Sequence, residues 1–322
     1  MKGTVALPFS CLIWQAAKQC LGWLKHKRAA MNKSLSFLLL LLGAPLIPGA
    51  ALAQAASPAV YSSTQRDQDE TTSRHMVETV LKTSYTDNEQ YVRWKQAICP
   101  HVSGLAPAAA LVIERRVRAV ATQVGAPVDP STACVPNISI IATTDPQASL
   151  LSIAKTSPYL VLGGDQQSTV RYPVQAWYAT WKTNYKGVKT IDIPDRISGT
   201  TQTYTPSNLS RLGTGRKPEM ATVTVLADTK VLIGMTLGEL ADYMALLTLT
   251  QTAQYGACQP VETIANLMVP ACPAANKPHK LSHADIALLT ALYEVADEQE
   301  QLQKSRIIGG MRRSLEKQFG KD

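Results

Sequence analysis

The chain has 322 residues, 45% of them hydrophobic, a proportion that excludes a wholly disordered protein. Its formal charge of +8 looks like a nucleic-acid signature, but residues 1–53 hold six Lys or Arg and no Asp or Glu. Without that stretch, 26 basic side chains face 24 acidic ones, so no nucleic-acid partner is expected.

The first 53 residues read as a leader. Lys25-His-Lys-Arg28 and Lys33 make a positive region, Phe37 to Gly43 a short apolar core, and Ala51-Leu-Ala53 a small-residue cleavage signal that leaves Gln54 as the new N-terminus. Pro45 and Pro48 interrupt the apolar run well short of the about 20 residues a spanning helix needs. No membrane anchor is therefore expected to persist after cleavage. Met31-Asn-Lys-Ser34 is a well-formed start of its own, so residues 31–53 are read as the signal peptide and the compartment as periplasmic or secreted.

Export sets how the cysteines are read. Cys11 and Cys20 fall in the leader, and Cys99, Cys134, Cys258 and Cys272 remain. An even number in an oxidising compartment argues for disulfides. Three pairings are open, and proximity favours Cys99–Cys134 and Cys258–Cys272. Closing the shorter loop would stabilise the fold by about 3 kcal/mol in the chain-entropy model. A four-cysteine zinc site would need closely spaced pairs, which this sequence lacks.

In chain order, residues 54–90 are rich in small polar and charged residues and read as a flexible tether, with one short ordered piece at Met76 to Leu81. Residues 91–322 then form a single α+β domain. Ala109, Ile113, Val117, Val120 and Val124 make a helical stripe that opens at Leu105-Ala-Pro107 and stops at Gly125, with Arg115 and Arg118 on the opposite side. Ile138 to Thr144 is a β-branched strand, Gln147 to Lys155 a helix, and Pro173 to Trp181 an alternating strand. Trp177, Tyr178 and Trp181 divide by that alternation into core and rim.

Residues 186–219 read as an exposed loop or irregular hairpin. Ala221 to Leu226 and Lys230 to Ile233 flank Ala227-Asp-Thr229 in a hairpin pattern. Two capping boxes, Thr236-Leu-Gly-Glu239 and Ser282-His-Ala-Asp285, each open an apolar helix. A charged helix over 298–318, bent near Gly309-Gly310, ends the chain; its Arg312, Arg313 and Lys317 are offset by nearby Glu and read as a solvated face. The fold expected is a small mixed sheet with packed helices, braced by disulfides.

Tests for chemistry give little. The chain has no G-x-S-x-G and no P-loop, and Gly213-Thr-Gly215 lacks the rest of a dinucleotide fingerprint. Glu239 and Asp242, three apart at a helix start, could act as acid and base if buried. The structural reading is stronger: Glu239 completes the cap, and both charges suit the positive end of the helix dipole. His279 and His283 could hold a metal, but Ser282 caps the helix between them, so helical spacing does not carry across the pair. No cofactor is expected.

The order of Cys99-Pro100 before a helix, Cys134-x-x-Asn137 before a strand, Thr236 to Tyr243, and the Leu281-Ser-x-x-Asp285 helix ending at Leu292-Tyr293 resembles uncharacterised exported proteins of alphaproteobacteria. Thr236 to Tyr293 also distantly resembles secreted zincin-type metalloproteases, through Glu239–Leu247, Thr263–Leu267 and Leu281–Tyr293. That resemblance implies a zinc-binding His pair on the first of these helices, and Gly238 to Tyr243 contains no histidine. The expectation is an exported, non-catalytic binding domain for an envelope protein or peptide. The alternative is a divergent peptidase-like hydrolase on a scaffold without its metal motif.

Overall fold

The computed structural model describes residues 62–83, 90–161, 169–183, 189–191, 217–253, 257–296 and 300–319. The leader expected over residues 1–53 and the cleavage expected at Ala53–Gln54 lie outside the described residues. Among the described residues, five strands form one mixed sheet: β1 (Pro100–Ser103), β2 (Ile138–Thr143), β3 (Val174–Thr183), β4 (Lys189–Ile191) and β5 (Lys217–Asp228). The order is β1-β2-β5-β3-β4, with the first three strands parallel and β3 and β4 joined by antiparallel pairing. The protein is a disulfide-braced α+β fold: Cys99 joins Cys134 and Cys258 joins Cys272.

Helix α2 (Pro107–Val124) connects β1 to β2 and buries Ala110, Ile113, Val117, Val120, Ala121 and Val124. This is the expected stripe, with Ala110 rather than Ala109 at its start. Between β1 and α2 the chain turns at Gly104 (φ 81°), where a Cβ would lie 1.8 Å from the Ala142 carbonyl oxygen of β2. Only glycine fits there. The β1 strand itself escaped sequence reading, because four residues beginning with proline carry almost no strand pattern.

Alternation divides the sheet into two faces. Ile138, Ile140, Val174, Ala176, Tyr178, Val223 and Val225 enter the main core with the helices, while Trp177 and Leu226 join Leu150 of α3 (Pro146–Thr156) in a smaller cluster behind it. A register shift between Ala179 and Thr180 inserts one residue into β5, which returns Met220 to the core side. The pairing corrects one expectation. The strand over 221–226 does not fold back on 230–233; β5 pairs with β2 and β3, and residues 229–234 form turns. Asp228 Oδ1 accepts the Lys230 N–H at 2.9 Å, holding the chain in that turn, and Ile233 is left 84% exposed.

Helix α4 (Leu237–Leu249) is the centre of the helical layer. Every residue from Glu239 to Leu249 is buried, the carboxylate-bearing Glu239 and Asp242 included. Its last carbonyls have no water to meet, so three aromatic side chains supply donors. Tyr178 Oη donates to Leu247 O (3.0 Å), Trp94 Nε1 to Thr248 O (2.7 Å) and Tyr293 Oη to Leu249 O (2.7 Å). Burial pushes the Tyr178 phenol up to about 12 and raises those of Tyr243 and Tyr293 as well.

The tether expected over 54–90 contains a packed helix, α1 (Ser63–Thr79). Ser62 caps it by accepting the Gln65 N–H, and Met76, Val77 and Val80 are fully buried. Helix α1 lies on α6 (Glu300–Phe319), joined by Arg312–Glu70 and Lys304–Glu78 ion pairs, both 2.9 Å. Arg312 therefore makes a contact between helices rather than belonging to a purely solvated face. Helix α6 runs through Gly309-Gly310 without a break. A Cβ on Gly310 would come within 3.1 Å of Ala291 in α5 (His283–Glu294), so this glycine lets two helices approach closely instead of bending one.

Candidate functional site

Three of the residues singled out for chemistry, Glu239, Asp242 and His279, meet at one corner, where the N-terminus of α4 faces the loop leading into α5. Both capping boxes form. Glu239 accepts the Thr236 N–H at 2.7 Å, and its own N–H donates to Thr236 Oγ1 at 3.2 Å. Its other carboxylate oxygen meets His279 Nδ1. The side chain is covered but shallow. The hydrogen bond from Thr236 and the contact with His279 hold its carboxyl below the usual value.

Asp242 lies one turn further along α4 and does more than complement a dipole. It meets Arg116 Nε of α2 through one oxygen and accepts the Leu281 N–H at 2.9 Å through the other. Its side chain is 5% exposed against 39% for Arg116, so the pair is closed on one side and open on the other.

Asp285 is the carboxylate whose weight sequence reading missed beyond its cap. It is wholly buried and accepts from Thr263 Oγ1 (2.6 Å), Ile264 N–H (2.9 Å), Ser282 N–H (2.9 Å) and Ser282 Oγ (2.9 Å). Burial raises its pKa, and the four donors oppose that rise. The arrangement stitches the short 3-10 helix Ile264–Met268 to the start of α5.

These contacts pin segment 279–281 to α4, while Lys280, Leu281, Ser282, His283 and Ala284 line a groove of about 560 Å³. Its remaining walls come from Gln65, Asp69 and Thr72 of α1, from Pro260 to Glu262, and from Leu315 and Gln318 of α6. The volume falls in the range of ligand sites. Acidic (Asp69, Glu262) and basic (Lys280) groups share the lining. Asp242, through Leu281, thus stands behind one wall, and Glu239 holds His279 just ahead of it in the chain. A second, apolar pocket between β3, α4 and residues 265–269 holds only about 30 Å³.

The structure separates the two histidines. His279 is in the loop, its side chain 88% exposed, on Glu239; His283 is the first residue of α5 and faces the groove. Among the described residues no group of three or more His, Cys, Asp or Glu is placed to hold a metal ion. Also among them, no helix is long and apolar enough to cross a membrane. The groove had one sequence signal, the Ser62-x-x-Gln65 cap followed by Met76, Val77 and Val80 at helical spacing, which marks α1 as a packed helix. Compared with known protein families, curated proteins and solved structures, the chain matches none.

Proposed function

We propose that this is an exported, non-catalytic binding domain of the periplasm or cell surface. The groove between α1, α5 and α6 receives an extended segment of an envelope protein or peptide. The observation that carries the reading is the division of labour at the corner: Glu239 and Asp242 are tied to Thr236, His279, Arg116 and Leu281, and of these Leu281 lines the groove, next to Lys280 and Ser282. A lining with both charge signs suits a polypeptide with side chains of both signs better than a single anion or cation. The two disulfides fit an oxidising compartment.

The test is a photo-crosslinking residue placed at Thr72 in the groove or at exposed Thr122 on α2, in the full-length protein expressed in cells. A discrete adduct from position 72, absent from position 122 and lost on adding Lys280→Glu, is the expected result. Adducts from both positions, or from 122 alone, would show that the groove is not the binding face.

A second reading rests on the His279–Glu239 contact. A carboxylate on Nδ1 orients an imidazole and leaves Nε2 exposed, the arrangement a general base uses. It corresponds to a peptidase-like hydrolase on the zincin-like scaffold. Hydrolysis of a peptide mixture that disappears in His279→Ala, or zinc bound in stoichiometric amount to the purified protein, would favour it over the first.

A further inference from the structure

The two disulfides differ in what surrounds them. Cys258 Sγ lies 3.7 Å from the Gln259 carbonyl oxygen and 4.0 Å from Asn276 Nδ2, both neutral groups. At the other bridge, Arg118 of α2 places Nη2 3.1 Å from Cys134 Sγ and 3.9 Å from Cys99 Sγ. The same guanidinium is held by backbone carbonyls, Ser131 O at 3.3 Å and Asp129 O through Nη1. A fixed cation beside a disulfide stabilises whichever sulfur becomes a thiolate, and so favours both its departure and the reduced state.

Access and restraint agree with this. Each bridge joins a buried cysteine (Cys99, Cys272) to a half-exposed one (Cys134, Cys258), and beside Cys134 the loop is open, with Val135 88% exposed. The junction does not depend on the bridge alone. Asn137 Oδ1 accepts the Cys99 N–H at 2.7 Å, Asn137 Nδ2 donates to Ala97 O at 2.9 Å, and the Asn137 N–H donates to Cys99 O at 3.2 Å. The β1–β2 pairing, from Pro100–Ile138 to Ser103–Ile141, is a further tie between the same two segments.

We propose that Cys99–Cys134 is an exchangeable disulfide, opened and closed by a dithiol oxidoreductase, whereas Cys258–Cys272 is purely structural. A thiolate of the dithiol attacks Cys134 Sγ, the Cys99–Cys134 bond breaks, and Cys99 leaves as a thiolate beside Arg118. The second thiol of the reductant, once deprotonated, attacks its own partner sulfur in the mixed disulfide and releases Cys134 as a thiolate. The protein gains two electrons and, on protonation, two protons; the dithiol becomes a disulfide. The reverse sequence closes the bridge. This inference does not depend on the groove.

The experiment reduces the intact protein with stepwise dithiothreitol under native conditions, traps thiols with a maleimide, and reads each cysteine by peptide mass spectrometry. Cys99–Cys134 should half-open at a dithiothreitol concentration at least tenfold below that for Cys258–Cys272. Arg118→Gln should raise that concentration about tenfold, about 30 mV for a two-electron couple, and Arg118→Lys should keep it near the wild-type value. Bridges that open together, or Cys258–Cys272 opening first, would overturn the proposal. So would an Arg118→Gln protein that opens as easily as wild type, or an Arg118→Lys protein that behaves like Arg118→Gln. If the variants do not fold, the pH profile of alkylation in reduced wild type decides. A midpoint at Cys134 below the ordinary thiol value of about 8.5 supports the proposal, and one at or above it overturns it.

Discussion

Helices α4 and α5 begin with the same four-residue device, yet their carboxylates live in opposite environments. Glu239 sits at the margin of the protein, where a hydroxyl-bearing cap and an exposed imidazole hold it ionised. Asp285 sits inside, where loss of water raises its pKa although four groups donate to it. The motif sets where each helix starts. The tertiary surroundings set how the carboxylate is charged and how much of the molecule it holds.

The sharpest way to break this comparison is to remove both carboxylates in turn. Asp285→Ala leaves four donors in a dry site without their acceptor and should cost about 3–5 kcal/mol in urea unfolding. A loss below about 1 kcal/mol would mean that Asp285 is an ordinary cap. Arg116→Met leaves the covered Asp242 without its cation; because Arg116 is partly exposed, the loss should be smaller, about 1–2 kcal/mol by the same assay. Glu239→Ala removes half of a cap and should cost about 1 kcal/mol. His279→Ala removes an exposed partner and should change stability by less than about 0.5 kcal/mol.

The pH dependence sharpens the comparison by its sign. Asp285 has a folded pKa above the ordinary 3.8, so the folded state binds its proton more tightly than the unfolded chain does. Its contribution is complete below about 3.8 and is lost as pH rises through the folded value. Glu239 has a folded pKa below 4.5; its contribution is complete above that value and is lost as pH falls through the folded value. Unfolding free energies measured from pH 3 to 7 for wild type, Asp285→Asn and Glu239→Gln should give difference curves of opposite slope. Parallel curves would contradict the assignment.

Legibility in the sequence follows how local each determinant is. The α2 stripe, the β2 strand, both caps and the short cysteine pairings rest on residues close together in the chain, and they could be read there. The partners of β5 could not, since Val223 to Asp228 pair with Ile138 to Thr143 some 85 positions earlier, and the apolar run 230–233 offered a nearer false partner. Helix α1 was obscured by its polarity: only its C-terminal end carries a run of apolar residues, and Asp69 and Ser73 are buried with them. Glu239, Asp242 and His279 were each visible as single candidates. Their joining across about 40 positions, and the groove wall they support, belong to the fold alone.

The most direct test of the central claim is hydrogen–deuterium exchange of the protein with and without a peptide digest of envelope proteins. New protection confined to peptides covering 65–72, 260–262 and 280–284, with 236–242 unchanged, is the predicted pattern. Protection centred on 236–242 and His279, with the α1 segment unaffected, would contradict it and return the corner to catalysis.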